Sequence, residues 1–244
     1  MFSMEYRLGA SRVNEKGMLR CSGMVDLMQD CSGFQLDTER ALNDYFAARG
    51  LGMYLASRQI DIRRMPAYVE QLTLKTWIFD CNRFYGCRNT LLLDQSGSLC
   101  AASWCIGVFV DLSTARGTRI PQSLLDQVQL EPAYEMPYLS HKLTLPDGSE
   151  PWEQLPDRIV DQSMIDRYHH VNNARYFDLG EEALPEGYGY DRVRIAYKIP
   201  AKHGERIRPR RLVTEEGCWI ALCSEQGKPY AQLLYSQIQD NTLL

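Results

Sequence analysis

The stretch Asp166–Phe177, "DRYHHVNNARYF", decides our interpretation of the fold. It contains a carboxylate, two of the four histidines and a pair of asparagines, and it leads into an aromatic segment of helical character. Asparagine is favoured at helix N-termini because its side chain accepts a hydrogen bond from a free backbone N–H group. We therefore expect Asn172 or Asn173 to cap a helix over residues 172–184, and Pro185 with Gly187 to end it.

The chain on either side of this helix follows one plan twice. After the helix come four strand-like segments, at residues 190–199, 206–216, 217–224 and 228–238. The first half begins with a predicted long helix from Ser22, as its N-cap, to Gly50, followed by strands at residues 58–64, 69–79, 83–94 and 98–111. Gly97 and Gly227 occupy hairpin-like turns in the two halves. A helix followed by an antiparallel meander, repeated, predicts a duplicated α+β protein.

A proline-rich segment with little periodicity separates the two halves and predicts a linker. We place a first domain at residues 1–125, the linker at 126–156 and a second domain at 157–244. Within this proline-rich segment, "QSLLDQV" at residues 122–128 predicts one short helix.

Composition excludes several classes of protein. The 244 residues carry a formal net charge of −4, so bulk charge gives no sign of a nucleic-acid partner. No apolar run reaches the roughly 20 residues of a membrane span, and the N-terminus lacks a signal-peptide pattern. The eight cysteines form no Cys-x-x-Cys pair, which predicts reduced thiols and no metal site. We therefore expect a cytoplasmic protein.

Spacing within the opening stretch resembles that of a known family. Asp166, His170, Val171, Asn172, Asn173 and Tyr176 match the motif of hotdog-fold thioesterases. The first half adds Arg63–Pro66, Thr76 with Trp77, and Trp104, in an order that resembles acyl-acyl carrier protein thioesterases. This resemblance implies an α+β fold of two tandem hotdog domains, each an antiparallel sheet wrapped around a central helix, sharing one continuous sheet.

The resemblance also implies a single active site in the second half. Asp166 is the candidate base, orienter of water, or nucleophile, and His170 would hold the water or position the carbonyl. Backbone amides near Asn172, Asn173 and Ala174 would polarise the thioester carbonyl. The alternative is purely structural: Asp166 and the asparagines would satisfy loose backbone groups while His170 packs at the helix start.

Two positions depart from the better-known plant enzymes. Tyr168 stands where those enzymes carry an asparagine, and Pro200 stands where they carry an acidic residue. The Tyr168 hydroxyl, or a polar group from His203 or Glu205, would then have to substitute. The plainer alternative is that Tyr168 packs against the protein and the other two side chains are solvated.

Two further sets of residues are candidate substrate contacts. Met24, Leu27 and Met28 in the first helix would line the acyl pocket, unless they are simply core. Arg206, Arg208 and Arg210 would dock an acidic carrier protein, unless they form a solvated strand edge.

These expectations together predict hydrolysis of fatty acyl-acyl carrier protein, which releases a fatty acid and terminates chain growth without a metal or organic cofactor. Two alternatives stay open: an acyl-coenzyme A thioesterase, and an acyl-binding protein with impaired catalysis. Acyl chain length and oligomeric state, including a homodimer, are also left open.

Overall fold

A computed structural model describes residues 1–146 and 151–238, which divide into two compact units. The first unit contains Met1–Arg58 and Ile62–Tyr138. The second contains Gln59–Asp61 and the described residues within 139–238. The division after Tyr138 falls inside the segment 126–156 that we predicted as a linker, and the predicted domain limits themselves stay a prediction.

The first unit has two consecutive helices where one was predicted. Helix α1 spans Cys21–Thr38 and α2 spans Arg40–Arg49. Glu39 interrupts them with a ψ of 65°, and the Thr38 hydroxyl and Asn43 side chain donate to carbonyl groups of the last turn of α1. Side chains that satisfy terminal carbonyls allow a helix to end there.

The predicted N-cap of the first helix was wrong. Arg20 occupies the cap position of α1, and Ser22 lies inside the helix, where its hydroxyl forms no hydrogen bond with the described residues. The predicted end at Gly50 agrees with the structure, because this residue closes α2 in the left-handed conformation with φ 62°.

The first unit's sheet is antiparallel, in the order β1-β3-β4-β5-β2. Its strands are β1 Phe2–Arg7, β2 Leu51–Ile62, β3 Gln71–Cys81, β4 Tyr85–Asp94 and β5 Leu99–Asp111, with the short β6 Arg116–Gly117 beside β5. Residues Gln59–Asp61 of β2 are those assigned to the second unit. A short helix α3, Gln122–Leu125, follows as predicted. Strand β1 was not predicted, although Phe2, Met4 and Tyr6 alternate with polar residues.

The second unit repeats the antiparallel arrangement with one short helix. Helix α4 spans Arg175–Glu182. The strands are β7 Glu153–Gln154, β8 Arg158–Ile159, β9 Arg192–Tyr197, β10 Arg206–Val213, β11 Cys218–Cys223 and β12 Pro229–Ser236. They follow the order β9-β12-β11-β10-β7, and β8 also pairs with β10.

The predicted hairpin turns are present in both units. Gly97 lies between β4 and β5 with φ 84°, and Gly227 lies between β11 and β12 with φ 77°. An L-residue side chain is strained at such angles, so glycine favours these turns and thereby fixes the strand register. All eight cysteines are free thiols. None of the helices at residues 1–146 and 151–238 has the length and apolarity needed to cross a membrane.

Candidate active site

The segment from Asp166 to His170 is a tight loop. An antiparallel bridge between Ile165 and Val171 brings its ends together. Within it, the Asp166 backbone N–H donates to the His170 carbonyl at 2.9 Å, and the His169 N–H donates to the Asp166 carbonyl at 3.0 Å. His169 has φ 61° and turns the chain within this loop. The loop therefore brings Asp166 and His170 together by local hydrogen bonding.

One carboxylate oxygen of Asp166 has a structural role. The Tyr168 backbone N–H donates to Asp166 Oδ1 at 2.8 Å. Aspartate commonly stabilises turns in this way, by accepting from the backbone two residues later. Asp166 Oδ1 therefore satisfies a backbone N–H group, as the structural alternative predicted.

The chain leaves the loop through bonds that fix the start of α4. The Val171 N–H donates to the Ala201 carbonyl at 2.9 Å, and the Asn172 N–H donates to the Met164 carbonyl at 2.8 Å. Asn172 Oδ1 accepts from the Ala174 N–H at 2.8 Å. The cap position of α4 is Ala174, so the prediction of Asn172 or Asn173 at the cap was wrong: the Asn172 side chain stabilises the turn that precedes the helix.

Three backbone amides were candidates to polarise a carbonyl, and they differ in availability. Those of Asn172 and Ala174 are already bonded, as described above. The Asn173 N–H and its side-chain amide form no hydrogen bond with the described residues. Asn173 is therefore the candidate donor with free capacity beside the N-terminus of α4, where the helix dipole favours negative charge.

Two tyrosines hold Asn173 and the neighbouring chain in position. The Tyr197 hydroxyl donates to the Asn173 carbonyl at 3.3 Å, and the Tyr176 hydroxyl accepts from the Ala201 N–H at 3.1 Å. Their rings meet edge to face at 5.9 Å. Burial raises the pKa of Tyr176, so this hydroxyl stays protonated. The positioning by Tyr197 was not predicted, because it depends on how β9 lies against the helix start.

His170 is half-buried at the end of the loop, and burial lowers its pKa. The negative charge of Asp166 opposes this shift, whereas Lys202 and His169 add to it. The net direction favours a neutral imidazole at neutral pH. A neutral imidazole can accept a proton from water.

The residues considered as substitutes for missing catalytic groups lie at the surface. Tyr168 is 47% exposed, so the alternative that it packs against the protein was wrong. Its hydroxyl accepts from Arg167 at 2.9 Å. His203 is exposed, and half-buried Glu205 accepts from the Lys202 backbone N–H at 2.9 Å.

The predicted acyl-contact residues belong to the packed interior of the first unit. Met24, Leu27 and Met28 each expose at most 1% of their surface. Met28 also accepts a hydrogen bond from Arg58, which makes its surroundings partly polar. An acyl chain could contact these three side chains only if the local packing opened.

The basic run on β10 is partly neutralised. Arg206, Arg208 and Arg210 alternate with buried residues and therefore lie on one face of the strand. Arg206 and Arg208 are exposed and form ion pairs of 3.2–4.0 Å with Asp157 and Glu225. Arg210 instead stacks over the Trp152 ring at 5.4 Å. Within the residues that the structure describes, no cluster of three or more metal-binding side chains occurs.

Comparison with known proteins adds independent information. Residues 1–128 match the family model described as the acyl-ACP thioesterase N-terminal domain. No curated protein matches the chain in a sequence search.

Three solved structures are similar over nearly the whole chain. One is an acyl-ACP thioesterase from Bacteroides thetaiotaomicron, with a TM-score of 0.83 and 16% identity over 96% of each chain. Another is the 12:0-ACP thioesterase from Umbellularia californica, with a TM-score of 0.79 and 14% identity over 96% of each chain. The third is a Lactobacillus plantarum protein described as an oleoyl thioesterase, with a TM-score of 0.82 and 20% identity over 96% of this chain and 94% of that one. At these identities the similarity shows the fold, which is the predicted α+β pair of tandem hotdog domains.

Proposed function

Since the chain belongs to the acyl-ACP thioesterase family and is therefore a thioester hydrolase, we propose that it cleaves fatty acyl groups from acyl carrier protein. The products would be a free fatty acid and the free thiol of the carrier's phosphopantetheine arm, so the reaction would terminate chain growth. The observation that carries this proposal is the family match over residues 1–128, because the matching model describes the N-terminal domain of acyl-ACP thioesterases.

The proposed chemistry lies in the loop Asp166–His170 and the residues that follow it. Neutral His170 would accept a proton from the attacking water, consistent with the lowered pKa of this side chain. Asp166 uses Oδ1 for the turn, which leaves its second oxygen to orient the water or the imidazole. Water would add to the thioester carbonyl, and the carbon–sulfur bond would break to release the thiol.

Stabilisation of the oxyanion would come from Asn173. Its backbone N–H has free hydrogen-bonding capacity and lies beside the start of α4. A preorganised donor of this kind contributes more in a water-poor site than it would in solvent. In this proposal the Asn172 side chain stabilises the turn before α4. Tyr168 is exposed on the same loop and would contact the substrate at the protein surface.

An acyl carrier protein is the proposed partner, and β10 is the proposed docking surface. Exposed Arg206 and Arg208, with the stacked Arg210, would attract an acidic carrier. The acidic residues Asp157 and Glu225 offset part of this charge, so we expect docking to be weakly electrostatic. The eight free thiols fit a reducing compartment such as the cytoplasm, where we propose that the protein acts.

The experiment that tests the proposal measures thiol release from acyl chains of varied length, each attached in turn to carrier protein and to coenzyme A. We expect higher kcat/KM with the carrier-bound series. Equal or higher values with coenzyme A would assign the second enzymatic class instead. Tight binding of both series without thiol release would identify an acyl-binding protein, a reading that the structural roles of Asp166 and Asn172 would then explain.

A further inference from the structure

The sheet face beneath α1 in the first unit is polar along part of its length. Strand pairing aligns side chains on β3, β4 and β5 into cross-strand rows. The first row, Leu74, Leu92 and Ala101, is apolar. The second row, Thr76, Thr90 and Ser103, contains hydroxyl groups. The third row, Ile78, Arg88 and Cys105, contains a guanidinium and a thiol. This face contacts α1, since Gln35 and Met28 of that helix bond to arginines from the sheet.

Two guanidinium groups are buried in this region. Arg58 is 4% exposed and donates through Nη1 to Ser103 Oγ at 3.1 Å and to Met28 Sδ at 3.4 Å. Arg88 is 8% exposed and donates through Nη1 to Gln35 Oε1 and to Thr76 Oγ1 at 3.1 Å. We call these two arginines and their four partners the two-arginine cluster.

Every acceptor in the cluster is electrically neutral. No carboxylate among the described residues forms an ion pair with Arg58 or Arg88, and half-buried Glu39 acts on Arg88 only as a more distant charge. The positive charge of Arg88 acts on Cys31, but burial raises the pKa of this thiol to about 11. The thiol is therefore uncharged at neutral pH. An arginine side chain stays protonated in proteins, and burying it without an anion is costly.

Several donors of the cluster have no acceptor among the described residues. Arg58 Nε is buried and forms no hydrogen bond. Arg88 uses only Nη1 in its bonds to Gln35 and Thr76, which leaves Nε and Nη2 available. The open Nε and Nη2 of Arg88 form a planar fork, and a carboxylate can accept two parallel bonds from one such guanidinium.

We propose that the two-arginine cluster binds the carboxylate of an aliphatic chain. The neighbouring apolar row would contact the chain itself, which requires the local packing to open because Leu74, Leu92 and Ala101 are fully buried. The carboxylate could be the far end of an acyl substrate or the head group of a free fatty acid. The assignment of this carboxylate to a substrate rests on the proposed function. The binding of a carboxylate to the two-arginine cluster is independent of the proposed function.

Calorimetric titration of the full chain with hexanoate tests the binding directly, with hexanamide as the uncharged probe at the same ionic strength. We expect saturable heat from hexanoate and none from hexanamide. Arg58→Met and Arg88→Met should each weaken hexanoate binding about tenfold or more, because each removes charged hydrogen bonds. Arg116→Met, which alters an exposed arginine of the same unit, should retain the affinity of the original protein.

Two kinetic comparisons distinguish the sources of the carboxylate. If carrier thioesters whose acyl chain ends in a carboxylate are hydrolysed preferentially to methyl-ended ones, and Arg88→Met abolishes the preference, the ligand is the substrate's far end. If hexanoate inhibits hydrolysis without such a preference, the ligand is a free fatty acid. Should no thioester be hydrolysed at all, the proposed function fails while the titration still decides the binding.

If Arg88→Met does not fold, Arg88→Lys takes its place. Lysine keeps the positive charge but cannot donate two parallel hydrogen bonds to one carboxylate. The contrast between hexanoate and hexanamide in the unaltered protein requires no variant. Indistinguishable heats for the two probes, or undiminished hexanoate affinity in both arginine variants, would overturn the proposal.

Discussion

Arg88 in the first unit and Arg192 in the second are equally buried, at 8% exposure, yet their surroundings differ. Arg192 forms a two-pronged ion pair with Asp61, with distances of 2.7 Å and 2.6 Å. Arg88 has only the neutral acceptors Gln35 and Thr76. Arg192 in the second unit is thus paired with a carboxylate, whereas Arg88 in the first unit forms no ion pair with the described residues.

The starts of α1 and α4 also differ, in the side-chain hydrogen bonds that support them. In the second unit, the loop before α4 is held by Asp166 and Asn172, and polar side chains cluster there. In the first unit, the cap residue Arg20 provides no side-chain bond to α1, and the Ser22 hydroxyl is buried without a partner. The two helix starts therefore differ in their support: the Asp166 and Asn172 side chains bond the backbone before α4, whereas the cap residue of α1 provides no such bond.

The largest expected effect is on stability, from breaking the paired arginine. Arg192→Met leaves the buried Asp61 carboxylate with only the neutral Gln59 amide as its donor and should lower the free energy of unfolding by about 3–5 kcal/mol. Arg88→Met removes an unpaired charge and should leave the free energy of unfolding unchanged or raise it. Denaturant unfolding of both variants checks the contrast. Equal losses of unfolding free energy in the two variants would show that the two-arginine cluster stabilises the fold as much as the ion pair between Arg192 and Asp61 does.

A smaller effect should separate the two helix starts. Asn172→Ala removes the acceptor for the Ala174 N–H and should cost about 1 kcal/mol of stability. Ser22→Ala removes a hydroxyl that has no partner and should cost nothing. Both variants can be compared by thermal and urea unfolding, with Asn173→Ala as a neighbouring control. A greater loss from Ser22→Ala than from Asn172→Ala would reverse the comparison.

The pH dependence of the second unit should report His170. Burial lowers the pKa of this imidazole below its ordinary 6.5, so the native state favours the neutral form. The stability that it contributes is present above the unfolded-state pKa and is lost as pH falls through the native one. Unfolding measured from pH 7.5 to 5 should therefore show a steeper loss in the original protein than in His170→Asn. Parallel curves would contradict the shift.

The smallest effect is expected at the surface of β10. Arg208→Glu should raise KM for carrier-bound substrate about twofold to fivefold at low salt, and the difference should vanish at high salt. Arg7→Glu, at an exposed arginine of the first unit, is the matched control. Unchanged KM for Arg208→Glu at low salt would remove β10 as the docking surface.

Local features of the fold were predictable from the sequence. Strand β3 follows alternation, whereas β4, β5, β11 and β12 are mostly buried segments set off by turns. The turns at Gly97 and Gly227 need a residue that tolerates positive φ. The closeness of Asp166 and His170 was predictable too, because four residues along the chain cannot separate far.

Features that depend on register were not predictable. Arg58 and Arg88 lie thirty residues apart, and only the register of β4 against β5 aligns Arg88 with Cys105 beside the Ser103 that Arg58 contacts. The prediction of Ser22 as the cap was wrong because α1 begins at Cys21, after the cap residue Arg20, which is two residues earlier than a cap at Ser22 would allow. The break at Glu39 depends on side-chain bonds of Thr38 and Asn43 that periodicity does not reveal.

The central claim is that thioester cleavage occurs at Asp166 and His170 in the second unit. The most direct test is kcat for thiol release from acyl carrier protein by Asp166→Asn, which preserves an oxygen to accept from the Tyr168 N–H but removes the charge. We predict a loss of about 100-fold to 10,000-fold with the melting temperature unchanged, matched by His170→Ala, while Asp26→Ala in the first unit keeps its activity. Normal turnover in Asp166→Asn and His170→Ala would show that this loop is only a structural turn and would contradict the claim.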